Sequence, residues 1–203
     1  SVYSMDGDSA PLIELAAFCN QYNLHLIVDE AHAIGVFGGQ GKGLCQELNM
    51  QDDCFARIYT YGKAMGCHGA AIVGSEELKK YLINFSRSFI YTTAMPEHSL
   101  LSIKAAYQLL NKTTEIEKLI SNISYFNTKA NSSSNFIKSE SAMHCKLVAG
   151  NKQVQEAEEK LHQLDVFAKS IKSPTVKEGQ ERLRICLHSF NSKEEIDLLL
   201  SVI

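Results

Sequence analysis

The chain has 203 residues, of which 45% are hydrophobic and 21% charged, and its formal net charge at pH 7 is -3. Such values describe an ordinary globular protein with material for one large domain or two small ones. They argue against a nucleic-acid or membrane surface: no basic run is dense enough, and no stretch approaches the roughly 20 apolar residues of a membrane span. The first residues lack the basic, apolar, small-residue order of a signal peptide. Cys19, Cys45, Cys54, Cys67, Cys145 and Cys186 form no C-x-x-C pair, so reduced thiols in a cytoplasmic protein are expected. The chain opens at Ser1 inside what reads as a strand, so a piece of a longer protein is expected.

Residues 2–5 read as a strand end, and Asp6-Gly7-Asp8-Ser9 as a turn. Ser9 is the expected cap of a helix whose first turn holds Pro11, with Leu12, Leu15, Ala16, Cys19 and Tyr22 as its apolar face. Residues 24–28 form an apolar run typical of a buried parallel strand, ending in Asp29-Glu30-Ala31-His32. A glycine-rich loop over 35–43 and a short helical piece over 44–48 lead to a strand at 57–61. A glycine-spaced turn through Gly66 and Gly69 then enters an apolar run at 70–73. Ser75 is placed to cap a helix over 76–85, and 87–96 is expected to be extended. Helices follow at 97–110 and 114–137, the second open to a break at the Ser- and Asn-rich residues 131–135. The last third reads as a strand (145–149), a helix (154–164), strands at 166–170 and 182–188, and a closing helix (193–202). Alternating strands and helices predict an α/β fold with a mostly parallel sheet and a boundary near 111–114. The two domains are thus 1–112 and 113–203.

In such sheets ligands bind beyond the carboxyl ends of the strands. Ser4, Asp29 with His32, and Thr60 with Lys63 all fall at such ends. A lysine at a strand mouth among glycines is either a solvated turn residue or, where burial lowers its pKa, a nucleophilic or Schiff-base lysine. Asp29 is either a loop carboxylate or the partner of a buried cation, and His32 either a loop histidine or the partner of a ligand oxygen. Together the three match what pyridoxal phosphate needs. A metal module of His32, Cys45, Cys54, Cys67 and His68 lacks regular spacing, and no metal is expected. Cys67 and His68 are adjacent on an extended backbone and point apart.

The stretches S-M-D-G-D-S-A-P-L (4–12), V-D-E-A-H-A-I-G-V-F-G-G-Q-G-K-G (28–43), T-Y-G-K-A-M-G-C-H-G-A-A-I (60–72) and I-Y-T-T-A-M-P (90–96) occur in this order. They resemble the α-oxoamine synthases, fold-type I pyridoxal-phosphate enzymes that condense an amino acid with an acyl thioester and lose carbon dioxide. The resemblance implies the C-terminal part of that fold: part of a mostly parallel large-domain sheet, followed by a small α/β domain. It implies Lys63 as the Schiff-base lysine, Asp29 as the ring-nitrogen partner and His32 as the partner of the cofactor's 3′ oxygen. Ser4 and Thr60 match cofactor contacts. Thr92 and Thr93 match the segment that reaches the neighbouring subunit's phosphate in a homodimer with its active site at the interface. Arg184, in R-L-R, matches the arginine for the amino-acid carboxylate, and Thr175 lies near substrate. Lys172 stands where some members carry a second arginine, which puts a bidentate role there in doubt. Within the family, the motifs are most similar to the branch that joins alanine to a pimeloyl thioester in biotin synthesis. The alternatives are the glycine-using acetyltransferase branch, and an isolated piece without activity. The family's ring-stacking histidine and glycine-containing phosphate segment lie upstream of the residues matched here.

Overall fold

Pro11 is the N-cap of α1 (Leu12–Gln21), and no side chain caps that helix. Ser9, the expected cap, bridges back to Val2 instead. The turn closes through Gly7 N–H to Tyr3 O and Tyr3 N–H to Asp8 O, so this single bridge stands where a strand was expected. The computed structural model describes residues 1–130 and 135–203. It divides into two compact units: Ser1 with Ala10–Thr113, and Val2–Ser9 with Thr114–Ile203. Residues 2–9 therefore group with the C-terminal unit, whereas the sequence assigned them to the first domain.

After α1, the first unit holds β1 (Ile27–Asp29), a single 3-10 turn (Gly39–Gly41), α2 (Leu44–Glu47), β2 (Ala56–Thr60) and β3 (Ala70–Gly74). α3 (Glu76–Phe85), α4 (Arg87–Ile90) and α5 (Glu97–Leu110) complete it. The sheet order is β1-β2-β3. β1 runs parallel to β2 with Asp29 opposite Ile58, and β3 runs antiparallel with Ala70 opposite Thr60. The connection from Thr60 to Ala70 is shorter than the roughly dozen residues of a parallel crossover, so the chain must return antiparallel. Tyr59, Tyr61, Met65 and Ile34 form a core with Ala71, Val73 and the α5 residues Ile103, Ala106 and Leu110. The Ser75 hydroxyl accepts from Leu78 N–H and caps α3 as expected. α4 forms inside the segment expected to be extended. In α1, Leu12 and Ala16 are buried, but Leu15 and, just past the helix, Tyr22 are exposed.

The second unit consists of α6 (Glu115–Ala130), β4 (Phe136–Ile137), β5 (Met143–Leu147), α7 (Asn151–His162), β6 (Lys169–Ile171), β7 (Arg182–Cys186) and α8 (Lys193–Val202), together with the turn at 2–9. The expected break over 131–135 falls largely on 131–134, outside the described residues; α6 ends at Ala130. The sheet order is β4-β5-β7-β6, with every neighbouring pair antiparallel. Leu183 and Ile185 of β7 face a core of Ile123 and Phe126 (α6), Val154 and Leu161 (α7), and Ile196 and Leu199 (α8). Ser192 and Glu195 make a capping box that starts α8.

Candidate active site

Register fixes which strand-end residues share a face. In a parallel pair, directly opposed residues project to the same side, and every second residue returns to it. Asp29 opposes Ile58, so Asp29, Ile58 and Thr60 share a face, at the carboxyl edge of β1 and β2. The other face carries Tyr59 and, on β3, Ala71 and Val73, and packs on α5. Lys63 lies in the turn just past β2, and its Nζ donates to Thr60 Oγ1 at 3.5 Å. The Lys63 amine thus reaches Thr60, which shares a sheet face with Asp29. Lys63 is exposed here rather than buried.

The lysine turn is built rigidly. Tyr61 N–H donates to Gly69 O at 2.9 Å, Cys67 N–H to Tyr61 O at 2.7 Å, and Gly66 N–H to Lys63 O at 2.9 Å. Tyr61 is buried and meets Tyr107 of α5 edge-on, with hydroxyls 3.3 Å apart. Burial and this hydrogen bond push the Tyr107 phenol up from its ordinary value. At Gly69 (φ +133°) the backbone disfavours a side chain, and a Cβ would lie 2.7 Å from Met95 Cε, the mobile end of that side chain, and 3.2 Å from Ile103 Cδ1. The result is an open cleft of about 620 Å³ lined by Thr60, Gly62, Lys63, Cys67, His68, Gly69 and Ala70.

Asp29 does not line that cleft. Its Oδ1 accepts from Ala31 N–H at 2.8 Å, which orients the carboxylate in the turn that leads to the half-buried His32. The next residue, Glu30, was not singled out by the sequence reading. It is fully buried and accepts from Leu44 N–H at 2.9 Å and Cys45 N–H at 2.7 Å. One carboxyl group thereby ties the Asp29–His32 turn to the far end of the glycine-rich loop. The available signal was an acid beside a strand-terminal acid, followed by Gly43-Leu44-Cys45 with helix-start amides to satisfy.

Thr92 and Thr93 follow α4, are exposed and do not line the cleft. Ser4, Thr175 and Arg184 belong to the second unit. Ser4 and Thr175 are exposed. Arg184, on β7, donates from Nη2 to Met143 Sδ at 2.8 Å, and its buried Nε has no partner among the described residues. Lys172 donates to Gln155 Oε1 at 2.9 Å. Of the alternative metal set, Cys45 and Cys54 touch, their sulfurs 3.8 Å apart; burial pushes both thiols up, and Glu30 raises Cys45 further. Cys67 donates inward to Met65 O, while His68 is exposed. Among the described residues no group of three His, Cys, Asp or Glu is placed to hold a metal ion, and no helix is long and apolar enough to cross a membrane.

Residues 1–203 match the model of the family described as aminotransferase class I and II. The chain is 40% identical to an 8-amino-7-oxononanoate synthase of Emericella nidulans, covering 100% of this chain and 52% of that protein. It is 37% identical to a putative 8-amino-7-oxononanoate synthase of Methanocaldococcus jannaschii, covering 98% and 53%. The chain therefore spans about half the length of the curated relatives it matches. In structure it resembles an 8-amino-7-oxononanoate synthase from Francisella tularensis, with TM-score 0.87, 28% identity, and coverage of 99% of this chain and 59% of that one. A Sphingomonas wittichii serine palmitoyltransferase shares the fold, with TM-score 0.91, 23% identity, and coverage of 99% and 51%.

Proposed function

Because the chain belongs to the class I and II aminotransferase family, we propose that it is the lysine- and carboxylate-binding part of a pyridoxal-phosphate enzyme of the 8-amino-7-oxononanoate synthase type. The reaction joins L-alanine to a pimeloyl thioester with loss of carbon dioxide, as a step of biotin synthesis. One observation carries the reading: the register that sets Asp29 and Thr60 on one sheet face, with Lys63 reaching Thr60.

The residues fit the cofactor. A primary amine stands at the rim of an open cleft, and a carboxylate at the same sheet edge is oriented by a backbone amide. When bound, pyridoxal phosphate supplies an aldehyde that captures amines and a ring that accepts electron density. Lys63 Nζ is the amine that would hold the cofactor and, when free, would take the proton from the amino acid's α-carbon. General-base work of this kind typically contributes about 10²–10⁴-fold. The Asp29 carboxylate would keep a proton on the cofactor's ring nitrogen, His32 would hold its ring oxygen, and Thr60 would serve its phosphate. The Arg184 guanidinium takes the alanine carboxylate through charge-assisted hydrogen bonds, with Thr175 near the substrate. The exposure of Thr92 and Thr93 supports a homodimer in which this segment meets the neighbouring subunit. The enzyme works in the cytoplasm.

Lys63→Ala in the complete enzyme removes both the covalent link and the base. Turnover should fall by at least about 10³-fold, and the visible absorbance of lysine-linked cofactor should vanish. Turnover near the wild-type rate would end this assignment. Supplying alanine and glycine separately tells the synthase from a glycine C-acetyltransferase.

A further inference from the structure

The turn at 2–9 lies on the sheet of the C-terminal unit, and the way it is fastened bears on Arg184. Side chains alternate along β7. Leu183 and Ile185 enter the helix-covered core, so Arg182 and Arg184 share the opposite face. On β5, Cys145 opposes Arg184 and projects to that same face. The turn is seated here by several contacts. Asp6 pairs with Arg182, whose side chain is 7% exposed and whose Nε also donates to Gln180 O at 3.0 Å. Cys145 Sγ donates to Met5 O at 3.0 Å, and Ser139 Oγ donates to Gly7 O at 2.9 Å. A Cβ on Gly7 would lie 2.1 Å from Met143 O, so the turn presses directly on β5 beside the methionine that touches Arg184.

Two cations therefore stand two residues apart on one face, and they are treated differently. Arg182 is neutralised by Asp6. Arg184 makes no ion pair among the described residues and leaves Nε unsatisfied. Arg184 is half-buried, and its enclosed Nε left unpaired is costly, so an anion arriving at Arg184 would relieve that cost.

We infer that Asp6 is a positioning residue for the amino-acid carboxylate site: its pair with Arg182 seats the Ser4-bearing turn on the arginine face and leaves Arg184 as the cation open to a carboxylate. The inference rests on the role proposed above for Arg184. Asp6 touches no substrate in this account; it acts through Arg182 and the turn. A displaced turn shifts Ser4 directly and reaches Arg184 through Met143, which both the turn and Arg184 touch.

The test uses the complete enzyme, with alanine affinity measured by calorimetry beside the KM values for alanine and for the acyl thioester. Asp6→Asn should weaken alanine binding and raise its KM about tenfold, the scale of a small misplacement of a binding group. The thioester KM should stay within about twofold, as for a change remote from that substrate. Asp6→Glu, which keeps the charge, should recover most of the loss. Ser139→Ala loosens the same turn through Gly7 and should shift alanine affinity in the same direction, which decides the matter if Asp6→Asn fails to fold. Unchanged alanine affinity in the folded variants, with only a lowered thermal midpoint, would make the pair a brace of the fold and overturn the inference. Arg184→Ala separates the two layers. If it weakens alanine binding while Asp6→Asn and Ser139→Ala do not, the inference alone fails. If it too leaves alanine affinity unchanged, the proposed role of Arg184 fails and takes the inference with it.

Discussion

Glu30 shows how much one side chain at the site's margin can hold. Its two carboxyl oxygens each accept one backbone amide at the start of α2, where the first N–H groups of a helix have no partner within it. Glutamine is nearly isosteric but offers one acceptor and two donors. In Glu30→Gln one buried N–H would therefore face another donor. The expected loss is about 1–3 kcal/mol, read from the urea midpoint, with faster amide exchange in the loop 35–43. An unchanged midpoint would mean that the loop is held by other means. The sequence made Asp29 and Lys63 legible because each sits where an apolar strand run stops. Glu30 and Asp6 were opaque for the opposite reason. Their partners, Leu44 and Cys45 for one and Arg182 for the other, are brought near only by tertiary folding.

At the scale of elements, the lysine turn depends on two glycines that do different work. At Gly66 (φ +62°) a Cβ would meet nothing within 4 Å, whereas at Gly69 it would strike Met95 and Ile103. Gly66→Ala should therefore cost only the left-handed backbone penalty, about 1–2 kcal/mol. Gly69→Ala should cost somewhat more, about 2–3 kcal/mol, because Met95 and Ile103 must give way in addition to the backbone strain. Thermal midpoints of the two variants check the order, and equal midpoints would mean that Met95 yields freely. Most helices and strands could be read from periodicity and caps, as at Ser75 and at Lys193–Val202. The misreadings were local. Ser9 was spent on a bridge to Val2, and a four-residue helix, α4, formed in a segment read as extended. Such a helix is too short to show an apolar period.

For the molecule as a whole, stability against acid should be governed by a group outside the proposed chemistry. His144, on β5, is 2% exposed and its ring lies 4.3 Å from that of Phe126. Burial lowers its pKa from 6.5 to about 4, against a smaller raising effect from a hydrogen bond with the Ser141 backbone. Nε2 is buried and has no partner among the described residues, so the folded protein keeps the ring neutral where the unfolded chain would protonate it. Below pH 6.5 the unfolded state binds more protons than the folded one, and stability must fall as pH falls. The stabilisation is whole above pH 6.5 and is lost progressively down to about 4. Between pH 7 and pH 5 the loss from this one residue is about 2 kcal/mol. Two buried carboxylates do not blur that interval: Glu181 is held below its ordinary value by backbone amides, and Glu158, despite the opposing cost of burial, by Ser170 and Lys169. Their contributions fade only at lower pH. Urea unfolding at pH 7 and pH 5 should therefore show a drop that shrinks by about 2 kcal/mol in His144→Gln, which carries no titrating ring. If the variant keeps the full wild-type drop, the acid sensitivity arises elsewhere and His144 takes up its proton without unfolding the sheet around it.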